Sequence, residues 1–252
     1  FWVGKPMQGP TIGDVVLQSP AWQAGLLPQD KVLTVDGLEI ATWNELEESL
    51  EKREGEEVVL TVQRGSETVD LPVTVNQVSS RNPYGEDVLV GGIKGIAPYP
   101  SQPMVAVSNP ESPAYQAGIR TGDVILEIGD KELQFYSQLN PTLAEVWDSP
   151  KSVPVKVKRF PVGNPDDFKE VSYTLALPQA PPEAELGPLG LSAALGLYPS
   201  EVAVQMVTPE SPAEKGGLQP GDRISKIGDE PIYSFEGIVD QVQEWGKKGQ
   251  SV

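Results

Sequence analysis

The sequence predicts an α+β chain, mainly β: three partly open β-barrels in tandem, each capped by two helices, the third incomplete at its C-terminal end. Three observations carry that expectation. The motif "SPAWQAGLLPQD" (Ser19 to Asp30) returns as "SPAYQAGIRTGD" (Ser112 to Asp123) and as "SPAEKGGLQPGD" (Ser211 to Asp222). A β-branched apolar run precedes each copy: "IGDVVLQ", "PMVAVSNPE" and "EVAVQMVTPE". A strand, a turn dipeptide and an amphipathic helix follow each copy in the same order.

Each element has a local reason. Ser is a good helix N-cap and Pro is tolerated at the first helical position. A one-turn helix therefore starts at each Ser-Pro-Ala and stops at Gly25, Gly118 and Gly217, where Gly can turn left-handed. The strands "KVLTV", "VILEI" and "RISKI" end at Asp36-Gly37, Gly129-Asp130 and Gly228-Asp229. The second helix starts near Thr42, Phe135 and Ser234, and Thr42 with Glu45 forms a capping box. Its apolar face is Trp43, Leu46 and Leu50, repeated as Tyr136, Leu139, Leu143 and as Phe235, Ile238, Val242. Pro141 kinks or shortens the middle one. Strand pairs "EVVLTVQR" with "ETVDLPVTV" and "SVPVKVKRF" with "FKEVSYTLAL" close the first two copies. The third has only "SV" after its helix, so its closing strands are expected to be missing.

These elements divide the chain into 1–77, a polar linker at 78–87, a second domain at 88–178, a proline-rich linker at 179–185 and a third domain at 186–252. The chain starts at Phe1 rather than Met, which reads as a segment of a longer protein.

Composition excludes several chemistries. With 19 Lys plus Arg against 36 Asp plus Glu, the formal charge is −17, which repels phosphate backbones and argues against nucleic acid as a partner. The chain has no Cys and no His. That removes disulfides, thiol nucleophiles, Cys/His zinc sites and Ser-His dyads.

The order strand, Ser-Pro-Ala, small-Gly-Leu/Ile, Gly-Asp, strand, turn, helix, hairpin resembles the bacterial PDZ domain. Copy one departs from it with Gln29-Asp30 in place of Gly-Asp, which is expected to alter one turn. The resemblance implies a groove in which a peptide adds as a strand beside the second helix. An apolar-Gly-apolar loop would offer backbone N–H groups to a terminal carboxylate. On this reading the loop is Val90, Gly91, Gly92 and Ile93 in copy two and Leu189, Gly190 and Leu191 in copy three. The alternative is an ordinary tight turn entering a strand. In copy one only "WVGK" (Trp2 to Lys5) offers itself. Leu46, Leu139 and Ile238 read as core, so Glu45, Gln138 and Gly237 are the helix positions expected to face a peptide.

Copies two and three are similar to the periplasmic PDZ tandem of site-2 intramembrane zinc metalloproteases, the regulator-of-sigma-E protease family. That resemblance implies a non-catalytic segment at the periplasmic face of the inner membrane, with zinc held in the parent's membrane domain and no cofactor here. Its partners would be peptide or protein C-termini, a membrane-anchored substrate and the parent's own membrane domain. The grooves would select substrates or filter them by size in regulated intramembrane proteolysis. That family usually carries two such domains, so three is a departure. Val35-Asp36-Gly37 looks like a metal-binding Leu-Asp-Gly motif but sits in a polar turn. The same domains occur in soluble periplasmic serine proteases and in scaffolds without protease, and both remain open.

Overall fold

The computed structural model describes residues 8–81, 84–147, 151–161, 167–179 and 188–247. The chain divides into two compact units, Phe1–Pro100 and Ser101–Val252. Both are assemblies of small antiparallel sheets with short helices, an α+β arrangement of three domains.

The first unit opens with β1 (Asp14–Val15) and α1 (Pro20–Gln23). The Ser19 hydroxyl accepts from the Trp22 N–H at 3.2 Å, as an N-cap should. Next come β2 (Lys31–Val35), β3 (Leu38–Glu39) and α2 (Trp43–Leu50). The Thr42 hydroxyl accepts from the Glu45 N–H, and the Glu45 carboxylate accepts from the Ala41 N–H at 2.8 Å. The predicted apolar face of α2, Trp43, Leu46 and Leu50, is buried. β4 (Glu57–Arg64) and β5 (Glu67–Thr74) form the expected hairpin and complete the sheet β3-β2-β4-β5. Val32, Val58, Leu60 and Val62 fill the core between that sheet and α2.

The chain then departs from the sequence expectation. β6 (Asn76–Arg81) and β7 (Asp87–Gly92) pair from Asn76↔Gly92 to Arg81↔Asp87. The segment 78–87, read as a linker, holds most of β6 and the start of β7. Its polar residues suit a two-stranded ribbon whose β6 side is mostly exposed. β8 (Ile96–Ala97) follows and returns to copy one, pairing Asp14↔Ala97 and Val15↔Ile96 with β1. Residues 88–100, assigned from the repeat to the second domain, thus belong to the first unit.

The second unit repeats the plan with β9 (Val105–Ala106), α3 (Pro113–Ala117), β10 (Val124–Ile128), β11 (Lys131–Glu132) and α4 (Leu139–Trp147). One 3-10 turn, Tyr136–Gln138, precedes α4, whose third residue is Pro141. A proline has no N–H for the preceding turn, so regular α-helix starts late. The hairpin of β12 (Ser152–Arg159) and β13 (Lys169–Ala176) completes the sheet β11-β10-β12-β13. After it, α5 (Leu191–Leu195) packs on α4, and β14 (Tyr198–Pro199) pairs with β9. Leu195 and Leu197 are fully buried in copy two's core. Copy three follows with α6 (Pro212–Lys215), β15 (Lys226–Ile227), β16 (Glu230–Pro231) and α7 (Phe235–Lys247) around Val202, Ile227 and Ile232. The "SV" at its end lies outside the described residues.

The Asp that ends each motif has a defined job. Asp30, with a side chain 1% exposed, accepts from Arg64 Nε at 2.8 Å and Nη2 at 2.7 Å, and from the Leu27 N–H at 2.9 Å. Arg64 Nη2 also donates to the Gly25 carbonyl at 2.7 Å. Copy two repeats the fork with Asp123, Arg159, the Arg120 N–H and the Gly118 carbonyl. In both copies the bidentate pair ties the helix stop to the end of the long hairpin strand. The hydrogen bond to the carboxylate raises both guanidiniums above their usual value. In copy three the Asp222 carboxylate accepts from the Gln219 N–H at 2.8 Å.

Gln29 does not alter its turn. It adopts φ 73°, while Gly122 and Gly221 stand at φ 90° and 96°. All three N–H groups donate to the strand before the motif, at Ile12, Val105 and Val204. Copy one therefore holds a side chain where the left-handed backbone favours Gly. Gln29→Gly should stabilise the domain by about 0.5–1 kcal/mol after the flexibility of Gly in the unfolded chain is counted, seen as a higher urea midpoint at unchanged m-value. A lowered midpoint would mean that the Gln side chain contributes more than its backbone costs.

Candidate functional site

A strand-addition groove needs a strand edge without a ladder partner, lying beside a helix. β8 meets both conditions. It belongs to a two-stranded sheet, so among the described residues only β1 pairs with it. The Gly95 and Ala97 carbonyls accept from Val16 and Gly13 at 2.8 Å. By strand alternation the Ile96 amide and carbonyl point the other way. Two ties fix α2 alongside. At its start, the Trp43 N–H donates to the Gln8 carbonyl, and Gln8 Nε2 donates to the Pro98 carbonyl at 2.7 Å. At its end, the Gly91 N–H donates to the Glu51 carbonyl at 2.9 Å. The helix thus runs antiparallel to residues 91–98. Glu47 on this helix accepts from Trp43 Nε1 at 2.9 Å.

The loop leading into β8 is fixed by close approach. A Cβ on Gly95 would lie inside contact distance of the Ser19 Cβ and Oγ, and Gly95 has φ +93°. Gly196 repeats the arrangement in copy two against Ser112, at φ +78°. In the first two copies the capping serine therefore seats the glycine that enters the closing strand of its own domain. Both features demand Gly.

The expected site residues fall as follows. Val90 pairs with Val78 and Gly91 with Gln77 in the β6-β7 ribbon. Gly91 also abuts the end of α2, where its Cβ would meet the Leu50 carbonyl. Gly92 pairs with Asn76, and Ile93 is buried in copy one's core. These four residues lie in the first compact unit, with the elements of copy one. Leu189, Gly190 and Leu191 sit against copy two instead of copy three, beside Asn140 on α4. Glu45 is occupied by the helix cap. Gln138 Oε1 accepts from the Gln134 and Phe135 N–H groups at 2.8 and 2.9 Å. The Gly237 N–H donates to the Ser234 hydroxyl at 3.1 Å. All three belong to the start of their helix. Trp2 to Lys5 lie outside the described residues.

The residues that sequence reasoning passed over are Gly95, Ile96, Gly196, Arg64 and Arg159. The strings "GGIKGI" and "LGLSAALGL" each contain two Gly-apolar steps, and in each the second enters the strand. For metal, the chain has no His or Cys, and among the described residues no group of three Asp or Glu is placed to hold an ion. Zinc does not fit the donors present. Among the described residues no helix is long and apolar enough to cross a membrane.

Comparison with known proteins gives the domain type. A PDZ-domain profile matches residues 4–75, and a second PDZ-domain profile matches 104–159 and 204–249. The chain carries multiple PDZ domains. A putative zinc metalloprotease of Brucella suis is 31% identical over 134 residues, 50% of this chain and 34% of that protein. Zinc metalloprotease RasP of Oceanobacillus iheyensis is 27% identical over 90 residues, 36% of this chain and 21% of that protein. A probable periplasmic serine endoprotease, DegP-like, of Chlamydia trachomatis is 29% identical over 151 residues, 55% of this chain and 30% of that protein. The chain spans about a third or less of the length of these curated relatives.

Gly196→Val should destabilise copy two by about 2–4 kcal/mol, from the strained φ and the clash with Ser112 together. Urea unfolding gives the size, and hydrogen exchange should show the loss in α3 and β10. Loss confined to α6 and α7 would contradict the placement of β14 in copy two.

Proposed function

We propose that these tandem PDZ domains are a non-catalytic, peptide-recognising segment of a larger bacterial protease, with the working groove between β8 and α2 of the first domain. The observation that carries the reading is the second edge of β8, which has no ladder partner among the described residues and is held beside α2 by Gln8 and Gly91. A peptide would add there as a strand, and its terminal carboxylate would meet the loop Ile93–Lys94–Gly95. The parent we favour is a membrane zinc metalloprotease, with this segment at the periplasmic face of the membrane. Its metal would lie in another part of that protein, since this chain lacks the ligands. There the domains would select or filter membrane-anchored substrates. The formal charge of −17 speaks against nucleic acid as a partner.

The second reading is the PDZ region of a soluble periplasmic serine protease. It is favoured by the share of this chain, 55%, that the DegP-like relative covers. Both readings use the same groove and differ in the rest of the parent. Apolar spans with a His-Glu-x-x-His motif in the full-length sequence would decide for the first, and a Gly-Asp-Ser-Gly core for the second.

Calorimetry with peptides ending in a small apolar residue tests the groove. Free-acid peptides should bind at micromolar Kd or weaker, because few side chains are buried and the peptide's ordering entropy must be offset. Amidation should weaken binding about tenfold or more, through loss of charge-assisted hydrogen bonds to the loop. Equal binding of acid and amide would remove the carboxylate from the account.

A further inference from the structure

Copy two repeats the fold of copy one, but the space beside its second helix is taken. We infer that residues 189–195 are a built-in plug of the copy-two groove, which must leave α4 before a peptide can add there. The inference rests on the peptide-binding reading above. In copy one α2 carries Glu47 directly after the buried Leu46. The matching residue of α4 is Asn140, directly after the buried Leu139. Asn140 is fully engaged by the plug. Its Nδ2 donates to the Leu189 carbonyl at 2.9 Å, and its Oδ1 accepts from the Ser192 N–H at 2.9 Å. A side-chain amide that donates to one backbone group and accepts from another takes the place of a ladder partner.

The plug also seals itself. The Ser192 hydroxyl donates to the Leu189 carbonyl at 2.8 Å. Leu189 is 6% exposed, and Ser192 and Leu195 are at 0%. Gly190 holds φ +61°, and its Cβ position lies 3.0 Å from the Asn140 side-chain amide, so only Gly seats the turn without strain. The strand edge agrees with a closed groove. The Leu197 N–H, which matches that of Ile96 in copy one, already donates to the Ser192 carbonyl of the plug at 2.9 Å. A groove closed by its own chain binds with an apparent affinity lowered by the fraction of time the plug is away. The first two domains therefore differ in use: copy one is open and copy two is gated.

The probe is a fluorescein-labelled pool of free-acid decapeptides with randomised last four residues, titrated onto the full 252-residue chain. Anisotropy gives the affinity, and hydrogen exchange locates it at β8 for copy one or at α4 and β14 for copy two. Asn140→Ala removes both plug contacts, and Gly190→Val drives the turn off its seat. Both variants should bind at copy two about tenfold more tightly than the unaltered chain, with protection at β8 unchanged. Asn140→Cys with Gly190→Cys guards against misfolding, since one polypeptide is compared in two states and the chain has no other Cys. Oxidation should abolish protection at α4 and β14, and reduction should restore it. If all forms protect α4 and β14 at the same peptide concentration while β8 still binds, the plug is overturned and the peptide reading stands. If no form protects either groove, both are overturned.

Discussion

Everything in the first two domains depends on how each sheet is closed. The strand that completes a domain comes after that domain's own long hairpin, from residues that look like the beginning of the next repeat. β8 returns to β1, and β14 returns to β9. In each case a glycine with positive φ is pressed against the serine that caps the domain's first helix, Gly95 on Ser19 and Gly196 on Ser112. The serine therefore has two jobs. Its hydroxyl starts a helix and its small side chain makes the seat for the closing segment. A larger capping residue would still start the helix but would displace the strand.

This closure determines where recognition is possible. In the proposed site the closing strand is also the groove strand, so a peptide that adds to β8 would lengthen the same ladder that holds copy one together. Binding and domain stability are then linked, because a ligand that requires the closed form stabilises it. In the first two domains the Asp-Arg forks act at the other end of the one-turn helix. Asp30 and Asp123 are buried carboxylates whose partners come from the last residue of a hairpin strand, Arg64 and Arg159. Fork and closing strand pin the one-turn helix from opposite directions, the fork through the Gly25 or Gly118 carbonyl and the strand through the capping serine.

Much of this was legible from residues alone. The three Ser-Pro-Ala caps, the left-handed stops at Gly25, Gly118 and Gly217, the Leu46 and Leu139 core positions and the two long hairpins all follow from local chemistry. Domain phase does not. A repeat fixes a period and leaves the starting point undetermined, because a unit and its circular shift produce the same string. For that reason "VGGI" and "PLGL" were read as loops of the following copies, whereas Ile93 and Leu189 are buried in the preceding ones. Gln29 escaped for a different reason. Its backbone is imposed by the N–H bond to Ile12 and by the buried Asp30 next to it, a tertiary demand that overrides the residue's own preference. Arg64 and Arg159 gave no local signal, since an Arg at a strand end is ordinary until its distant Asp is known.

The most direct test of the closure is to compare two fragments under urea, one ending at Asn76-Gln77, where the repeat alone would place the boundary, and one ending at Pro100. The longer fragment should unfold in one cooperative transition. The shorter should unfold at a clearly lower midpoint or without cooperativity, because β1 has lost its partner and Ser19 its covering glycine. Equal midpoints for the two fragments would contradict the account and return residues 88–100 to the second domain.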